Sequence, residues 1–125
     1  MQVNVPLRVI ISGIILLALD LTYISIASSF FSKQITLVQT MPVKINYVAA
    51  ILAYIAIIFA INYFILSKDA SVLDAFLLGV SIYAIYELTN YSLFRNWQFK
   101  TVVVDTLWGG ILFATVVAIM KITKM

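Results

Sequence analysis

The sequence predicts an all-α integral membrane protein that folds as a four-helix antiparallel transmembrane bundle. Of its 125 residues, 64% are hydrophobic and 10% are charged, and the mean hydropathy is +1.11. A soluble domain usually carries about 25% charged residues. Four apolar stretches follow one another, each close to the roughly 20 residues that a helix needs to cross a bilayer. We therefore expect residues 1–125 to form a single transmembrane domain.

The first apolar stretch predicts a helix over residues 7–31, and Pro6 and Arg8 mark its beginning. A secretory signal peptide would also have a basic start, an apolar run and small residues such as Ala27 and Ser28. However, Asp20 interrupts the run, and the run is longer than the apolar part of a signal peptide. We therefore expect a helix that is retained in the membrane.

The second helix is predicted over residues 46–66, after a connection from Lys33 to Ile45 that contains Pro42. Small residues recur on one face of this helix at spacings of four and three. In lipid, such a seam lets helix backbones approach closely, so it marks a packing face. The seam consists of Ala49, Ala53, Ala56 and Ala60.

The third helix is predicted over residues 70–91. The very short turn before it, at residues 67–69, requires the second and third helices to be antiparallel neighbours. Along the third helix one face carries small residues first and polar residues later, and we expect this face to point inward. It consists of Ser71, Ala75, Gly79, Tyr83, Glu87 and Asn90, of which Ala75 and Gly79 continue the packing seam.

The fourth helix is predicted over residues 101–119, after a loop from residue 92 to residue 100, and it ends in a basic tail with Lys121 and Lys124. Four spans place both termini on one side of the membrane. Lysine and arginine are divided equally between the two sides, so the positive-inside rule predicts no orientation.

Composition excludes several classes of function. The sequence contains no cysteine and no histidine, so it cannot form disulfides, thiolate nucleophiles, or metal sites built on sulfur or imidazole. We predict no metal site and no catalytic residues, because the common protease, phosphate-loop and dinucleotide motifs are absent. The sequence assigns no cofactor and leans away from an enzyme. The net charge of +3 is scattered over helix ends, which favours contact with lipid headgroups and excludes nucleic acid as a partner.

Three acids lie inside the apolar stretches, namely Asp20, Glu87 and Asp105. Each ionised side chain at the centre of a membrane helix costs about 2.5 to 3.5 kcal/mol, so we expect all three to face the bundle interior, a wet cavity or a partner. At least one should carry a proton at pH 7 unless Arg95 or a cation compensates its charge. Each is followed three positions later by a side chain that can donate a hydrogen bond. The predicted polar cluster is Asp20, Tyr23, Tyr83, Glu87, Asn90, Asp105 and Trp108. Arg95 and Lys100, in the adjacent loop, are candidates for binding headgroups or for balancing the acids.

The same residues resemble the signature of a family. Residues 86–90 read Tyr-acid-Leu-Thr-Asn, residues 95–97 read Arg-x-Trp, and residues 104–109 read Val-Asp-x-x-Trp-Gly, while Leu19-Asp20 fits the same pattern in the first helix. This order resembles the predicted-membrane-protein family called domain of unknown function 2177. The resemblance implies a membrane fold and marks these positions, but it implies no reaction.

Two functions stay open from the sequence. In the first, the acidic cluster binds a proton, a cation or a lipid headgroup within the membrane. In the second, the protein is a structural membrane subunit of a larger assembly, such as the inner membrane of a virion or an organelle complex, and the acids only fix helix packing. The expected partners are the lipid bilayer and either other membrane protein subunits or further copies of the chain.

Overall fold

A computed structural model describes residues 4–39 and 45–123, and these residues form helices without strands. The elements in chain order are α1 (Val5–Gln39), α2 (Tyr47–Ile61), a π-helical turn (Asn62–Leu66), α3 (Val72–Leu93) and α4 (Phe99–Ile122). The four spans that they form, with the π turn completing the second, are all long and apolar enough to cross a membrane. The predicted four-helix membrane bundle is confirmed.

The first helix is eight residues longer at its C-terminal end than the hydropathy pattern predicted. The prediction ended the helix at Phe31 and began a connection at Lys33, but α1 continues to Gln39. The polar residues Lys33 and Gln34 end the apolar run but not the helix, because lysine and glutamine are good helix formers. Pro42, which the prediction placed in the connection, lies outside the described residues, as does Lys124 of the predicted tail.

The second helix begins and ends close to the predicted positions. Asn46 forms its N-cap, and the side-chain oxygen of Asn46 accepts a hydrogen bond from the Ala49 N–H at 3.1 Å. At its end the helix widens into the π turn, in which the Ser67 N–H bonds to the Asn62 carbonyl five residues earlier at 2.8 Å. Single π turns inside helices are rare and often occur at functional positions.

The turn between α2 and α3 is closed by local hydrogen bonds. Asp69 adopts a positive φ of 49°, a conformation that aspartate tolerates better than most residues. Ser71 and Asp74 then form a capping box at the start of α3. The Asp69 carboxylate accepts a hydrogen bond from Lys121 Nζ at 3.0 Å, which ties this turn to the end of α4.

The closest helix pair is α3 with α4. A Cβ atom on Gly79 would lie only 2.1 Å from the Gly109 carbonyl oxygen, and one on Gly109 would lie 2.3 Å from Cγ of Tyr83. Ala75, one turn before Gly79, is fully buried. The two helices therefore pack backbone against backbone, as small residues allow in lipid.

The alanine seam of α2 does not pack against another helix of the described chain. Ala49, Ala53 and Ala56 are exposed and Ala60 is only partly buried. A neighbouring face of α2 makes the contacts, with Ile61 fully buried and Ile58 against Gly13 of α1. These larger apolar side chains fill the space between the helices better than alanine does. That the seam is a helix-packing face stays a prediction.

The apolar core occupies the half of the bundle near the termini. It is formed by residues from all four helices and the π turn: Leu16, Ile61, Ile65, Ala75, Leu112, Phe113, Val116, Val117 and Met120. Asp20, Glu87 and Asp105 lie in the other half, towards the loop between α3 and α4. The bundle is therefore divided into an apolar half and a polar half.

The glycine contact between α3 and α4 predicts a large effect of adding one methyl group. Gly79→Ala should lower the free energy of unfolding by about 1 to 3 kcal/mol, because the new Cβ meets backbone that cannot move aside. Gly13→Ala is the matched control, since its Cβ would meet only the flexible tip of Ile58 at 3.2 Å. Denaturant titration of both variants in detergent measures the difference. Equal losses would contradict the proposed backbone contact.

The ion pair at the end of α4 predicts a weak dependence of stability on acid pH. The hydrogen bond and the positive charge of Lys121 hold the pKa of Asp69 below its usual value. The stabilisation is therefore present above the ordinary pKa of about 3.9 and is lost as the pH falls through the lowered pKa of the folded state. Asp69→Asn, which keeps the positive φ accessible, should melt slightly below wild type at pH 7. Melting curves recorded down to pH 2 should converge, and a constant difference would contradict this.

Candidate functional site

The three membrane acids lie together in the interior of the bundle. Asp20 of α1, Glu87 of α3 and Asp105 of α4 expose 5%, 1% and 8% of their surfaces. Each acid lies on the inward face of its own helix, so the packing of the three helices brings the acids together. We call these three residues and the side chains that donate hydrogen bonds to them the acidic cluster; the donors are Tyr23, Tyr54, Trp97 and Trp108.

Hydrogen bonds are exchanged between α1 and α4. The Tyr23 hydroxyl donates to Asp105 Oδ1 at 3.3 Å, and Trp108 Nε1 donates to Asp20 Oδ1 at 2.8 Å. The spacing of three residues in the sequence paired each acid with the donor of its own helix. In the structure each donor serves the acid of the other helix, since α1 and α4 are antiparallel and both members of each pair point at the neighbouring helix.

The two donors of this exchange also stack on each other. The rings of Tyr23 and Trp108 are nearly parallel, at an interplanar angle of 6°, and their centroids are 4.4 Å apart. Aromatic contacts of this kind add about 0.5 to 1.5 kcal/mol beyond the area they bury. The stacked rings and the two hydrogen bonds thus form one contact between α1 and α4.

Asp20 also accepts a hydrogen bond from the hydroxyl of Tyr54 on α2. The sequence prediction missed this donor, because a single tyrosine in an apolar helix gives no signal of its inward orientation. Through Tyr54, the acidic cluster includes a contribution from every helix of the bundle.

Glu87 accepts its hydrogen bond from the loop between α3 and α4. Trp97 Nε1 donates to Glu87 Oε1 at 2.9 Å, and Trp97 is itself buried. The sequence spacing placed Asn90 three positions after Glu87 as a side chain able to donate; Asn90 is partly buried, and no hydrogen bond joins it to Glu87 among the described residues. Instead, the loop folds back and brings the indole of Trp97 into the position of the donor.

Glu87 and Asp105 form a pair of neighbouring carboxyl groups in the interior of the bundle. Two carboxyl groups can share a hydrogen bond only when one of them carries a proton, because an ionised carboxylate is an acceptor only. The pair lines a cavity together with Asp20. The geometry of the pair therefore suits the binding of a proton.

Two cavities lie beside the acidic cluster. One, of about 290 Å³, is lined by residues of α1, α3, α4 and the loop and contains all three acids. The other, of about 350 Å³, is lined by residues of all four helices and contains Asp20 and Asp105. Tyr83 and Tyr86 line both cavities. Volumes near 300 Å³ are at the small end of the range for ligand sites.

The two basic residues of the predicted site do not reach the acids. Arg95 is exposed and lines an open groove on the loop with Tyr91 and Phe94. Lys100 is exposed, and its Nζ lies 5.7 Å from the ring centroid of Phe30. Within residues 4–39 and 45–123 the only ion pair is that of Asp69 with Lys121. The alternative that Arg95 balances the acids is therefore wrong for this structure, whereas contact of both residues with headgroups stays a prediction.

A family model described as "Predicted membrane protein (DUF2177)" matches residues 6–123. The chain belongs to this family. The match covers the four helices and the acidic cluster, and it confirms the resemblance seen in the signature residues. Together with the four helices that are long enough to span a bilayer, it identifies the DUF2177 chain as a multi-pass membrane protein. Comparisons with curated proteins and with solved structures gave no significant match.

The loop of the DUF2177 chain is positioned by Gln34, which the sequence prediction also missed. Its Nε2 donates to the Asn96 carbonyl at 2.7 Å, and its Oε1 accepts from the Gln98 N–H at 2.9 Å and from Thr101 Oγ1 at 2.8 Å. Gln34 and Thr101 are buried. Since the loop carries Trp97, Gln34 indirectly fixes the donor to Glu87. No signal marked Gln34, because it lay in the predicted connection.

The arrangement of carboxyl groups in the described part of the DUF2177 chain bears on which cation could bind. Among the described residues no group of three aspartates or glutamates is arranged so that it could hold one metal ion. Hard cations such as Ca²⁺ need six or more oxygen ligands. A cation at the cluster would therefore have to be bound through fewer protein contacts than Ca²⁺ requires.

The exchanged hydrogen bonds predict which pairs of substitutions interact energetically. Trp108→Phe and Asp20→Leu should be coupled by about 1 kcal/mol, since each removes one partner of the same bond. Trp108→Phe and Asp105→Leu, the pair that the sequence spacing suggested, should be closer to additive. Free energies of unfolding in detergent for the single and double variants give both values. A larger coupling for the second pair would contradict the exchange.

Proposed function

We propose that this DUF2177 protein binds one positive charge, a proton or a small cation, at the Glu87–Asp105 pair inside the membrane. The observation that carries the proposal is the absence of any basic side chain paired with the three buried acids among the described residues. An ionised side chain at the centre of a membrane helix costs about 2.5 to 3.5 kcal/mol. A bound positive charge removes most of that cost.

A proton is the simplest occupant. Two carboxylates in contact repel each other, so that a proton held between them stabilises the pair. Such a pair titrates as a unit, and its protons cannot be assigned to one residue alone. The titratable side chains that face the pair come from three helices: Asp20 and Tyr23 of α1, Tyr54 of α2, and Tyr83 and Tyr86 of α3.

The surroundings of the pair also suit a small organic cation. Carboxylates attract an ammonium group directly, and aromatic faces attract it through the ring quadrupole. Aromatic side chains line both cavities, and Tyr54, Tyr83 and Tyr86 line the larger of the two. The shared chemistry of the two occupants is a single positive charge that neutralises one carboxylate.

Infrared spectroscopy tests the proposal directly. In wild type between pH 5 and pH 9 we expect a band from a protonated carboxyl group, because one proton is held by the pair. Glu87→Gln and Asp105→Asn should each remove or shift this band. Asp69→Asn is the matched control, since Asp69 is an exposed carboxylate and its loss should leave the band unchanged. No protonated carboxyl at any pH, or a band that persists in both variants, would overturn the proposal.

The same measurement separates the two occupants. Loss of the band only when the pH is raised identifies a proton as the bound charge. If the band is lost at constant pH when a tetramethylammonium or sodium salt is added, the bound charge is a cation that displaces the proton. A matched salt of a larger cation, which the cavity excludes, is the control.

A second candidate function is that of a structural subunit in a larger membrane assembly. The hydrogen bonds of the acidic cluster favour this function, because each of the three acids accepts a hydrogen bond from another segment of the chain. It is also favoured by the exposed seam of Ala49, Ala53 and Ala56, which offers a neighbouring helix a close approach. In this function the partners are other membrane protein subunits or further copies of the chain.

Thermal stability in nanodiscs distinguishes the two functions. If the pair binds a positive charge, Glu87→Gln and Asp105→Asn should be as stable as wild type or more stable at pH 7, since neutral amides need no counter-charge. If the acids only fix packing, then Asp20→Asn, Glu87→Gln and Asp105→Asn should all be destabilised. Loss of folding in all three variants would contradict the binding of a charge.

A further inference from the structure

A second cavity system lies far from the acidic cluster, between the beginning of α1 and the end of α2. This α1–α2 groove has a volume of about 440 Å³, and none of its lining residues belongs to the acidic cluster. Its walls are apolar, with Val5 and Val9 on one side and Ile55 and Phe59 on the other. Arg8 lies at its polar end.

The guanidinium of Arg8 is held in place from one side only. Arg8 Nε donates to Asn62 Oδ1 at 3.0 Å, and Asn62 Nδ2 in turn donates to Ser12 Oγ at 3.0 Å and to the Ile58 carbonyl at 2.9 Å. Ser12 and Asn62 are almost fully buried. This network uses one of the five N–H donors of the guanidinium, and within residues 4–39 and 45–123 no hydrogen bond occupies the four on its terminal nitrogens.

Arg8 has no side-chain carboxylate as a partner. The sequence contains five acids, and all of them lie elsewhere in the structure. Asp69 pairs with Lys121, Asp74 belongs to the capping box of α3, and the remaining three form the acidic cluster. A positive charge at the edge of a bilayer without an internal partner attracts an external anion.

A second positive charge lies at the same end of the groove. Lys68 Nζ is 4.6 Å from the ring centroid of Tyr63, and Tyr63 lines the groove. The π turn helps to form this end, because its wider hydrogen bond from Ser67 to Asn62 places both residues along the groove. Such π turns insert one residue into a helix, and they often occur at functional positions.

We propose that the α1–α2 groove binds one anionic lipid, with its phosphate on Arg8 and one acyl chain along the apolar walls. Arginine binds phosphate through two parallel hydrogen bonds, which the free terminal nitrogens of Arg8 allow. Arg8 lies in the first turn of α1, at the level of the headgroups, and the walls extend from there towards the membrane centre. The two positive charges favour a lipid with a net negative charge over a zwitterionic one.

Native mass spectrometry of the full chain in detergent tests this site. Phosphatidylglycerol, phosphatidylcholine and inorganic phosphate are titrated separately. Wild type should bind phosphatidylglycerol about tenfold more tightly than phosphatidylcholine, and Arg8→Gln should remove about that factor, as expected for a charge-assisted hydrogen bond. Lys33→Gln is the matched control, because it removes the same charge from an exposed position near the other end of α1 and should leave binding unchanged.

Val9→Trp separates a lipid from free phosphate as the ligand. The larger side chain should fill the apolar part of the groove and weaken phosphatidylglycerol binding while leaving the Arg8 network in place. Equal affinity of wild type for the two lipids, or unchanged phosphatidylglycerol binding in Arg8→Gln, would overturn the proposal. Tight binding of inorganic phosphate together with unchanged lipid binding in Val9→Trp would also overturn it, in favour of a phosphate site. The carboxyl band at the Glu87–Asp105 pair should not change in Arg8→Gln, so the two proposals fail separately.

Discussion

The hydrogen bonds exchanged between α1 and α4 join the two parts of this molecule. The glycine contact makes α3 and α4 one unit, and α2 is attached to α1 through Asn62 and Ser12. The contact of Asp20 and Tyr23 with Trp108 and Asp105 connects these two units. In a bilayer this contact matters more than an equal number of apolar contacts, because lipid satisfies apolar side chains as well as protein does but offers no partner to a carboxylate.

The division into an apolar half and a polar half places opposite unbalanced charges at opposite ends of the bundle. Carboxyl groups without a basic partner lie near the loop between α3 and α4, and Arg8 without an acidic partner lies near the beginning of α1. The two do not neutralise each other, since α1 is rigid and separates Arg8 from Asp20 by about three helical turns. The two proposed sites are therefore independent of each other.

Hydropathy and the positions of the three acids were enough to predict the four helices and the inward orientation of Asp20, Glu87 and Asp105, because a membrane allows few alternatives for either. The donors were predicted less well. Tyr54, Trp97 and Gln34 became partners through the rotation of a helix, the folding back of a loop and the extension of α1, none of which changes the local pattern of residues. The seam on α2 shows the same limit, since small residues mark a surface that can pack closely without indicating which helix meets it.

The partners of Asp20 are synthesised at different times. The chain is synthesised from its N-terminus, so α1 is made first and α4 last. Tyr54 belongs to the helix that follows Asp20, whereas Trp108 belongs to the final helix. The hydroxyl donor to Asp20 is therefore made before the indole donor, and the hydrogen bonds of this carboxylate are complete only once α4 has been added.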